Sequence, residues 1–178
     1  FRSSWVSDGG AWYYVGADGL MCTGWKRIGS SWYYFDASGA MATGWRQVDG
    51  SWSFFASSGQ MQTGWVLDHS SWYWLGVSGE MRTGWQRVDG TWYFFAPSGA
   101  MRTGWQLIGN SWYFLGGSGA MATGWQKVAG EWYWLGSDGA MVTGWEKIGG
   151  LWYHFSGSGQ MSTGWLDLDG SWYYLGTD

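Results

Sequence analysis

Apolar and polar positions repeat along this chain with a constant period of 20 residues. Each period holds two short segments rich in aromatic and β-branched residues, for example 45–48 and 51–55, and Asp49-Gly50 lies between them. Glycine recurs too often for a helix, and aromatic side chains favour strands. Asp-Gly between two such segments is typical of a two-residue hairpin turn. The pattern therefore predicts one β-hairpin in each period.

The turn also determines the register of the two strands. With Asp49-Gly50 at the tip, the opposed pairs are Val48–Ser51, Gln47–Trp52, Arg46–Ser53 and Trp45–Phe54. Opposed residues share a face of the hairpin and neighbours along a strand alternate faces. One face, which we call the tryptophan face, therefore carries Trp45, Trp52 and Phe54. The opposite face carries Val48, Ser53 and Phe55, and the same division is predicted for every repeat.

A connector of constant design follows each second strand, with a glycine such as Gly39 and, two residues later, a methionine such as Met41. A glycine at a fixed position predicts a positive φ or a close backbone approach. A methionine at a fixed position predicts an apolar slot for a flexible side chain. Because a lone hairpin is marginally stable, consecutive hairpins are expected to stack. The pattern predicts an all-β solenoid of nine hairpins in a single repeat domain over residues 1–178, the first without its Thr-Gly start and the last without its connector.

Composition narrows the choice of ligand. The chain has 178 residues with 20 Trp, 11 Tyr and 8 Phe, but only 12% of its residues are charged; about 25% is usual. The net charge is -4 and the nine basic residues are scattered, which argues against a nucleic-acid partner. An aromatic surface with little charge suits neutral sugars or organic cations. No apolar stretch is long enough to span a membrane.

The titratable residues are not arranged for catalysis. The 13 acids and two histidines occupy scattered repeat positions, without the pair, triad or spacing that catalysis or a metal site needs. We therefore expect no enzyme activity, cofactor or metal in this chain, and place any activity in a neighbouring domain of a larger protein. His69 falls in a turn, and histidine tolerates left-handed φ, so we interpret it as an exposed turn residue.

The tryptophans point to a binding role. Leu, Ile and Val can fill a core, and here they appear mainly on the opposite face. Tryptophan in every repeat is more specific than burial requires. Indoles are the best cation–π partners, and aromatic cages recognise quaternary ammonium groups. The tryptophan face is therefore predicted to bind a ligand many times along the chain.

The motif Thr23-Gly24-Trp25, Trp32-Tyr33-Tyr34-Phe35, Gly39 and Met41 resembles the choline-binding, or cell-wall-binding, repeat family. The resemblance covers residues 5–175. It implies a left-handed β-solenoid with about three hairpins per turn and a choline cage between consecutive hairpins. In the family, each cage takes two tryptophans from one repeat and the third aromatic residue and the methionine from the next.

Carried onto this chain, the resemblance implies six complete cages. They are Trp5, Trp12, Tyr34 and Met41; Trp25, Trp32, Phe54 and Met61; Trp45, Trp52, Trp74 and Met81; Trp65, Trp72, Phe94 and Met101; Trp85, Trp92, Phe114 and Met121; and Trp105, Trp112, Trp134 and Met141. At a seventh junction Trp125, Trp132 and Met161 would meet His154, which repels a quaternary ammonium when protonated. The last junction, with Trp145, Trp152 and Tyr174, lacks its methionine.

The function implied by the resemblance is a non-catalytic module that anchors a secreted, cell-surface or cell-wall-associated protein to choline or phosphocholine on teichoic acid polymers. Two alternatives stay open: an α-glucan-binding module, since related repeats bind α-glucans, and a structural spacer or filament repeat. The cage positions are almost wholly aromatic or Met, with few Asn, Gln or Asp, which favours a cation over a sugar. Self-association is also open.

Overall fold

The structure is a computed structural model that describes residues 2–177. Within that range, 18 strands of five residues form nine two-stranded sheets, and each sheet pairs two consecutive strands. The strands are β1 (Ser4–Asp8), β2 (Ala11–Val15), β3 (Gly24–Ile28), β4 (Ser31–Phe35), β5 (Gly44–Val48), β6 (Ser51–Phe55), β7 (Gly64–Asp68), β8 (Ser71–Leu75), β9 (Gly84–Val88), β10 (Thr91–Phe95), β11 (Gly104–Ile108), β12 (Ser111–Leu115), β13 (Gly124–Val128), β14 (Glu131–Leu135), β15 (Gly144–Ile148), β16 (Leu151–Phe155), β17 (Gly164–Leu168) and β18 (Ser171–Leu175). Among the described residues there is no helix, and hence none that could cross a bilayer.

The hairpin register is the predicted one. In β5–β6, Val48 pairs with Ser51 and Trp45 pairs with Phe54. Equivalent pairs form in the other hairpins, for example Trp125 with Trp134. The prediction of β-hairpins with one tryptophan face is therefore confirmed.

The turn residues adopt the backbone angles that a tight hairpin demands. Asp49 and Gly50 both have positive φ, 50° and 82°, which is the signature of a type I′ turn. His69 and Ser70 also have positive φ, 44° and 64°, although neither is a usual residue there. The His69 side chain is 93% exposed. Its assignment as an exposed turn residue is confirmed.

The connector glycine has two reasons to be a glycine. Gly39 has φ of 79°, a left-handed angle that side chains with a Cβ rarely adopt. A Cβ on Gly39 would also collide with the side chain of Met21, from the connector before it. The Gly39 amide donates to the Asp36 carbonyl at 2.9 Å and closes the turn. Both predictions for this position, positive φ and close approach, are confirmed.

The fully buried core consists of one residue from each of the seven hairpins between the first and the last, namely the final residue of the second strand, on the opposite face. These residues are Phe35, Phe55, Leu75, Phe95, Leu115, Leu135 and Phe155. The indole of Trp5 lies 5.8 Å from the Phe35 ring of the next hairpin, and Trp125 lies 5.7 Å from Phe155. The tryptophan face of one hairpin thus packs on the opposite face of the next. A stack of identical units repeats one head-to-tail contact, which joins two different surfaces.

The described hairpins group into two compact units. One contains the residues up to Gly84 and Phe95–Met101; the other contains Trp85–Phe94 and the residues from Arg102 onward. A single domain, a left-handed superhelix and three hairpins per turn stay predictions. Residues 1 and 178 of the predicted domain lie outside the described residues.

Candidate ligand-binding sites between hairpins

Two tryptophans of one hairpin form the first two walls of each pocket. Trp125 and Trp132 share the tryptophan face because Trp125 is opposite Trp134 and Lys127 is opposite Trp132. Their ring centroids are 6.0 Å apart and the ring planes meet at 83°. The Trp132 side of this corner is open to solvent, since 38% of that residue is exposed. The hairpin therefore presents a right-angled aromatic corner.

The next hairpin supplies the third wall. The ring of Tyr153 is 4.9 Å from that of Trp125, edge to face at 73°. Trp125, Trp132, Tyr153 and Met161 line a pocket of about 430 Å³, together with Thr177. The pocket is large enough for a small organic cation.

The same tyrosine wall recurs along the chain with ring distances from 4.8 to 5.1 Å. The pairs are Trp5–Tyr33, Trp45–Tyr73, Trp85–Tyr113, Trp105–Tyr133, Trp125–Tyr153 and Trp145–Tyr173. Each tyrosine immediately precedes the residue that was expected to form this wall.

The expected third rings lie elsewhere, and this placement is corrected here. Tyr34, Phe54, Trp74, Phe94, Phe114, Trp134, His154 and Tyr174 each pack against the first tryptophan of their own hairpin, at 5.0 to 5.3 Å. They stand on their own tryptophan face, so they cannot face the preceding hairpin. Strand alternation already placed Tyr33, and not Tyr34, on the face that meets Trp5. The alternation of faces along a strand, applied to stacked hairpins, would have predicted the tyrosine wall from the sequence.

The placement of His154 removes the objection to the seventh junction. Its ring lies 5.1 Å from Trp145, at 69°, within its own hairpin. Its Nδ1 is 2.9 Å from the Ser162 hydroxyl oxygen. The wall that faces Trp125 is Tyr153 instead, so this junction has the same tyrosine wall as those of Trp5, Trp45, Trp85 and Trp105.

The connector methionines lie beside the tryptophans of the preceding hairpin. The Met161 amide donates to the Trp132 carbonyl at 2.8 Å, and the side chain lines the pocket. The same bond, at 2.7 or 2.8 Å, joins Met41 to Trp12, Met61 to Trp32, Met81 to Trp52, Met101 to Trp72, Met121 to Trp92 and Met141 to Trp112. Each of these seven methionines therefore joins two consecutive hairpins.

A third hairpin also reaches the pockets, which the sequence did not reveal. Ser57 and Ser58 line the pocket of Trp5 and Trp12, two hairpins before them. Ser137 and Asp138 do the same for the pocket of Trp85 and Trp92. These connector positions vary between repeats, so no fixed motif marked them. They bring polar groups, and at Asp138 a carboxylate, to otherwise apolar walls.

The indole of Trp45, the first wall of its pocket, is hydrogen-bonded to a pair formed by Asp68 and His69. The Trp45 indole Nε1 donates to Asp68 Oδ2 at 3.1 Å, and His69 Nδ1 lies 3.0 Å from the same oxygen. The hydrogen bond from His69, and more weakly that from Trp45, lowers the pKa of Asp68. The same bond and the charge of Asp68 raise the pKa of His69. Among the described residues, no group of three or more His, Cys, Asp or Glu side chains could hold a metal.

Comparison with known proteins identifies the repeats. A model of the choline-binding repeat matches residues 2–43, 22–55, 42–83, 82–123, 122–147 and 142–178. The chain belongs to the choline-binding repeat family. Together the matches cover residues 2–178, so the chain consists of repeats throughout. The resemblance noted in the sequence is confirmed. A search of the curated proteins found no match.

Solved structures of the family from Streptococcus pneumoniae have the same fold. Choline binding protein F, solved in the presence of a peptidoglycan analogue, is 38% identical with a TM-score of 0.81, over 89% of this chain and 58% of that chain. The choline-binding domain of CbpL is 31% identical (TM-score 0.70), over 98% of this chain and 93% of that one. The modular autolysin LytC, in complex with a synthetic peptidoglycan ligand, is 27% identical (TM-score 0.60), over 98% and 47%. This chain thus spans little more than half of choline binding protein F.

Proposed function

We propose that this chain is a non-catalytic module that holds the quaternary ammonium groups of choline-bearing cell-wall polymers. The observation that carries the proposal is the recurring pocket with two indoles at a right angle, a tyrosine and a methionine. In the pocket of Trp85 and Trp92 the indoles meet at 87°, Tyr113 and Met121 close the far side, and Trp92 remains 41% exposed. The rings thus form an open cage.

The chemistry of choline fits such a cage. Its three methyl groups spread one positive charge over an apolar, weakly hydrated surface. Each ring face contributes about 0.5–2 kcal/mol to cation binding. Three rings together with a methionine then give an affinity near the millimolar range, which corresponds to about 4 kcal/mol. Asp138 adds a carboxylate to the lining at Trp85 and Trp92, which favours a cation further.

The arrangement of rings favours a cation over the alternatives. Sugar rings stack on flat aromatic platforms, whereas the indole pairs here meet at 76° to 88° and enclose a rounded group. A pure spacer would close its tryptophans against each other. Instead, the second tryptophan of the first seven hairpins stays 38–48% exposed.

The relatives support a wall polymer as the ligand and a location outside the cell. Choline binding protein F and LytC were both solved with peptidoglycan-like ligands, which supports a bacterial wall as the target. The module would then act outside the cell, either secreted or on the surface. In a longer protein it would hold an attached domain against the wall.

The first prediction is a choline-dependent thermal shift. Ligand that binds only the folded state stabilises it by RT ln(1 + [L]/Kd) for each site, about 1.4 kcal/mol at ten times Kd. Tens of millimolar choline should therefore raise the Tm by several degrees, whereas an equal concentration of a maltose oligomer should not. Trp92→Ala should reduce the choline shift by removing one cage. A shift with the oligomer and none with choline would replace this proposal by the glucan alternative.

A further inference from the structure

One pocket of the series lacks its tyrosine wall. Ser53 stands where the other hairpins have Tyr13, Tyr33, Tyr73, Tyr93, Tyr113, Tyr133, Tyr153 and Tyr173. The pocket of Trp25 and Trp32, lined also by Met61, Val77 and Ser78, has a volume of about 500 Å³. Three pockets that contain the tyrosine measure about 350 to 430 Å³. The pocket without a phenol ring is thus the largest of these four.

The remaining walls have not moved to close the gap. Trp25 and Trp32 meet at 86° with centroids 6.5 Å apart, which matches the other corners. Trp25 lies 5.7 Å from Phe55, as Trp5 lies 5.8 Å from Phe35. The backbone also keeps its course, because Ser53 forms the isolated bridge with residue 80 that Tyr113 forms with residue 140. The larger volume of this pocket thus coincides with the absence of the ring, and Ser53 itself is buried, with 4% of its surface exposed.

Several charged side chains around this pocket have partners of their own. The residue opposite the missing ring is Arg46, whose guanidinium donates to the Trp45 carbonyl at 3.3 Å. The hydrogen bond from the Ser38 hydroxyl is the main reason why the pKa of Asp36 is lowered, and the positive charge of Arg46 lowers it further by a smaller amount. On the other side of the pocket, Glu80 and Arg82 form an ion pair.

We infer that the pocket of Trp25 and Trp32 prefers quaternary ammonium cations that carry an aromatic arm over choline itself. The inference rests on the proposed function, because the two indoles hold the ammonium group as in the other cages. The arm lies where Tyr33 lies in the neighbouring pocket, edge to face with the first tryptophan. Choline leaves the space empty and loses one ring contact, which weakens its binding roughly 2- to 30-fold relative to a complete cage.

Fluorine NMR of the full chain labelled with 5-fluorotryptophan tests this inference. Single Trp→Phe variants assign the signals of Trp25, Trp5 and Trp45, and each signal is followed in titrations with choline and with benzyltrimethylammonium. At Trp25, benzyltrimethylammonium should bind roughly 2- to 10-fold more tightly than choline, as one aromatic contact is restored. At Trp5 and Trp45, where a tyrosine occupies the space, no such preference is expected.

Two variants make the comparison specific. Ser53→Tyr restores the residue used in the other repeats, so it should strengthen choline binding at Trp25 and abolish the aryl preference. Tyr73→Ser should create that preference at Trp45, with Trp5 unchanged in the same sample. The quantity compared is the ratio of the dissociation constants for choline and benzyltrimethylammonium. The inference would be overturned if this ratio were equal at Trp25, Trp5 and Trp45, or if Ser53→Tyr left it unchanged at Trp25. A lack of response to choline at Trp5 and Trp45 would instead overturn the proposed function.

Discussion

The two tryptophans of a hairpin have different surroundings, and this difference separates stability from binding. The first, such as Trp25, packs on the buried ring of the next hairpin, here Phe55 at 5.7 Å, and on Tyr34 of its own hairpin at 5.3 Å. The second, such as Trp32, is 45% exposed. The first indole therefore belongs to the core and to the pocket, while the second contributes mainly a pocket wall.

At the scale of single residues, the third wall can be tested with two adjacent aromatic residues. Tyr113 faces Trp85 of the preceding hairpin at 5.0 Å, whereas Phe114 packs on Trp105 of its own hairpin at 5.1 Å. Tyr113→Ala should weaken choline binding at Trp85 roughly 2- to 30-fold, measured by the indole signal of Trp85. Phe114→Ala should lower stability by about 1–3 kcal/mol and leave the affinity at Trp85 nearly unchanged. The reverse pattern would restore the original assignment of this wall.

The pair of His69 and Asp68 predicts a local pH dependence. The hydrogen bond from His69 raises the pKa of this histidine above its usual 6.5. The contact therefore stabilises the fold fully below about pH 6.5 and is lost as the pH rises through the raised pKa of His69. An NMR titration of His69 should show the raised pKa, and Asp68→Val should return it to the ordinary value. Asp8→Val, at the equivalent position of the first hairpin, is the matched control and should not change it; an unshifted His69 in the unmodified chain would contradict the contact.

At the scale of elements, the connectors hold consecutive hairpins at a constant distance. In five connectors the methionine amide bonds to the tryptophan carbonyl of the preceding hairpin and the methionine side chain covers the glycine of the following connector; these methionines are Met41, Met61, Met81, Met121 and Met141. Met141, for example, donates to Trp112 at 2.7 Å and lies over Gly159. We expect the spacing between hairpins, and hence the width of the pocket, to depend on this contact.

Two glycines of one connector provide a matched test of this role. Gly159 has φ of 83°, and a Cβ there would collide with Met141. Gly157, two residues earlier, has neither a positive φ nor an atom within 4 Å of such a Cβ. Gly159→Ala should lower the free energy of unfolding by about 1–3 kcal/mol, whereas Gly157→Ala should change it by less than about 0.5 kcal/mol. Denaturant unfolding measures both, and equal effects would exclude the steric explanation.

At the scale of the whole molecule, weak sites act together because they are numerous. Each compact unit contains at least two pockets with two tryptophans and a methionine. A polymer that displays many choline groups can occupy several of them at once. The second binding event then becomes intramolecular, and the apparent affinity exceeds that of any single cage.

This multivalency predicts a dependence on ligand density. On a surface with sparse choline groups the chain should bind with an affinity near that of one cage. On a dense surface the apparent affinity should rise roughly 100-fold or more, as measured by surface plasmon resonance. Free choline at millimolar concentration should release the chain from both surfaces. An affinity that is independent of density would mean that a single site dominates.

The sequence by itself determined the hairpins, their register, their turns and the connector glycines, because these depend on residues close together in the chain. The motif repeated every 20 residues also resembled the choline-binding repeat family, and the comparison confirmed that resemblance. Which ring meets which indole depended instead on how one hairpin stacks on the next, and only the tertiary structure decided it. It placed Tyr33 opposite Trp5, moved His154 out of the Trp125 pocket and brought Ser57 to a pocket two hairpins away. Contacts between hairpins join different faces of identical units, and a repeated motif does not state which faces meet.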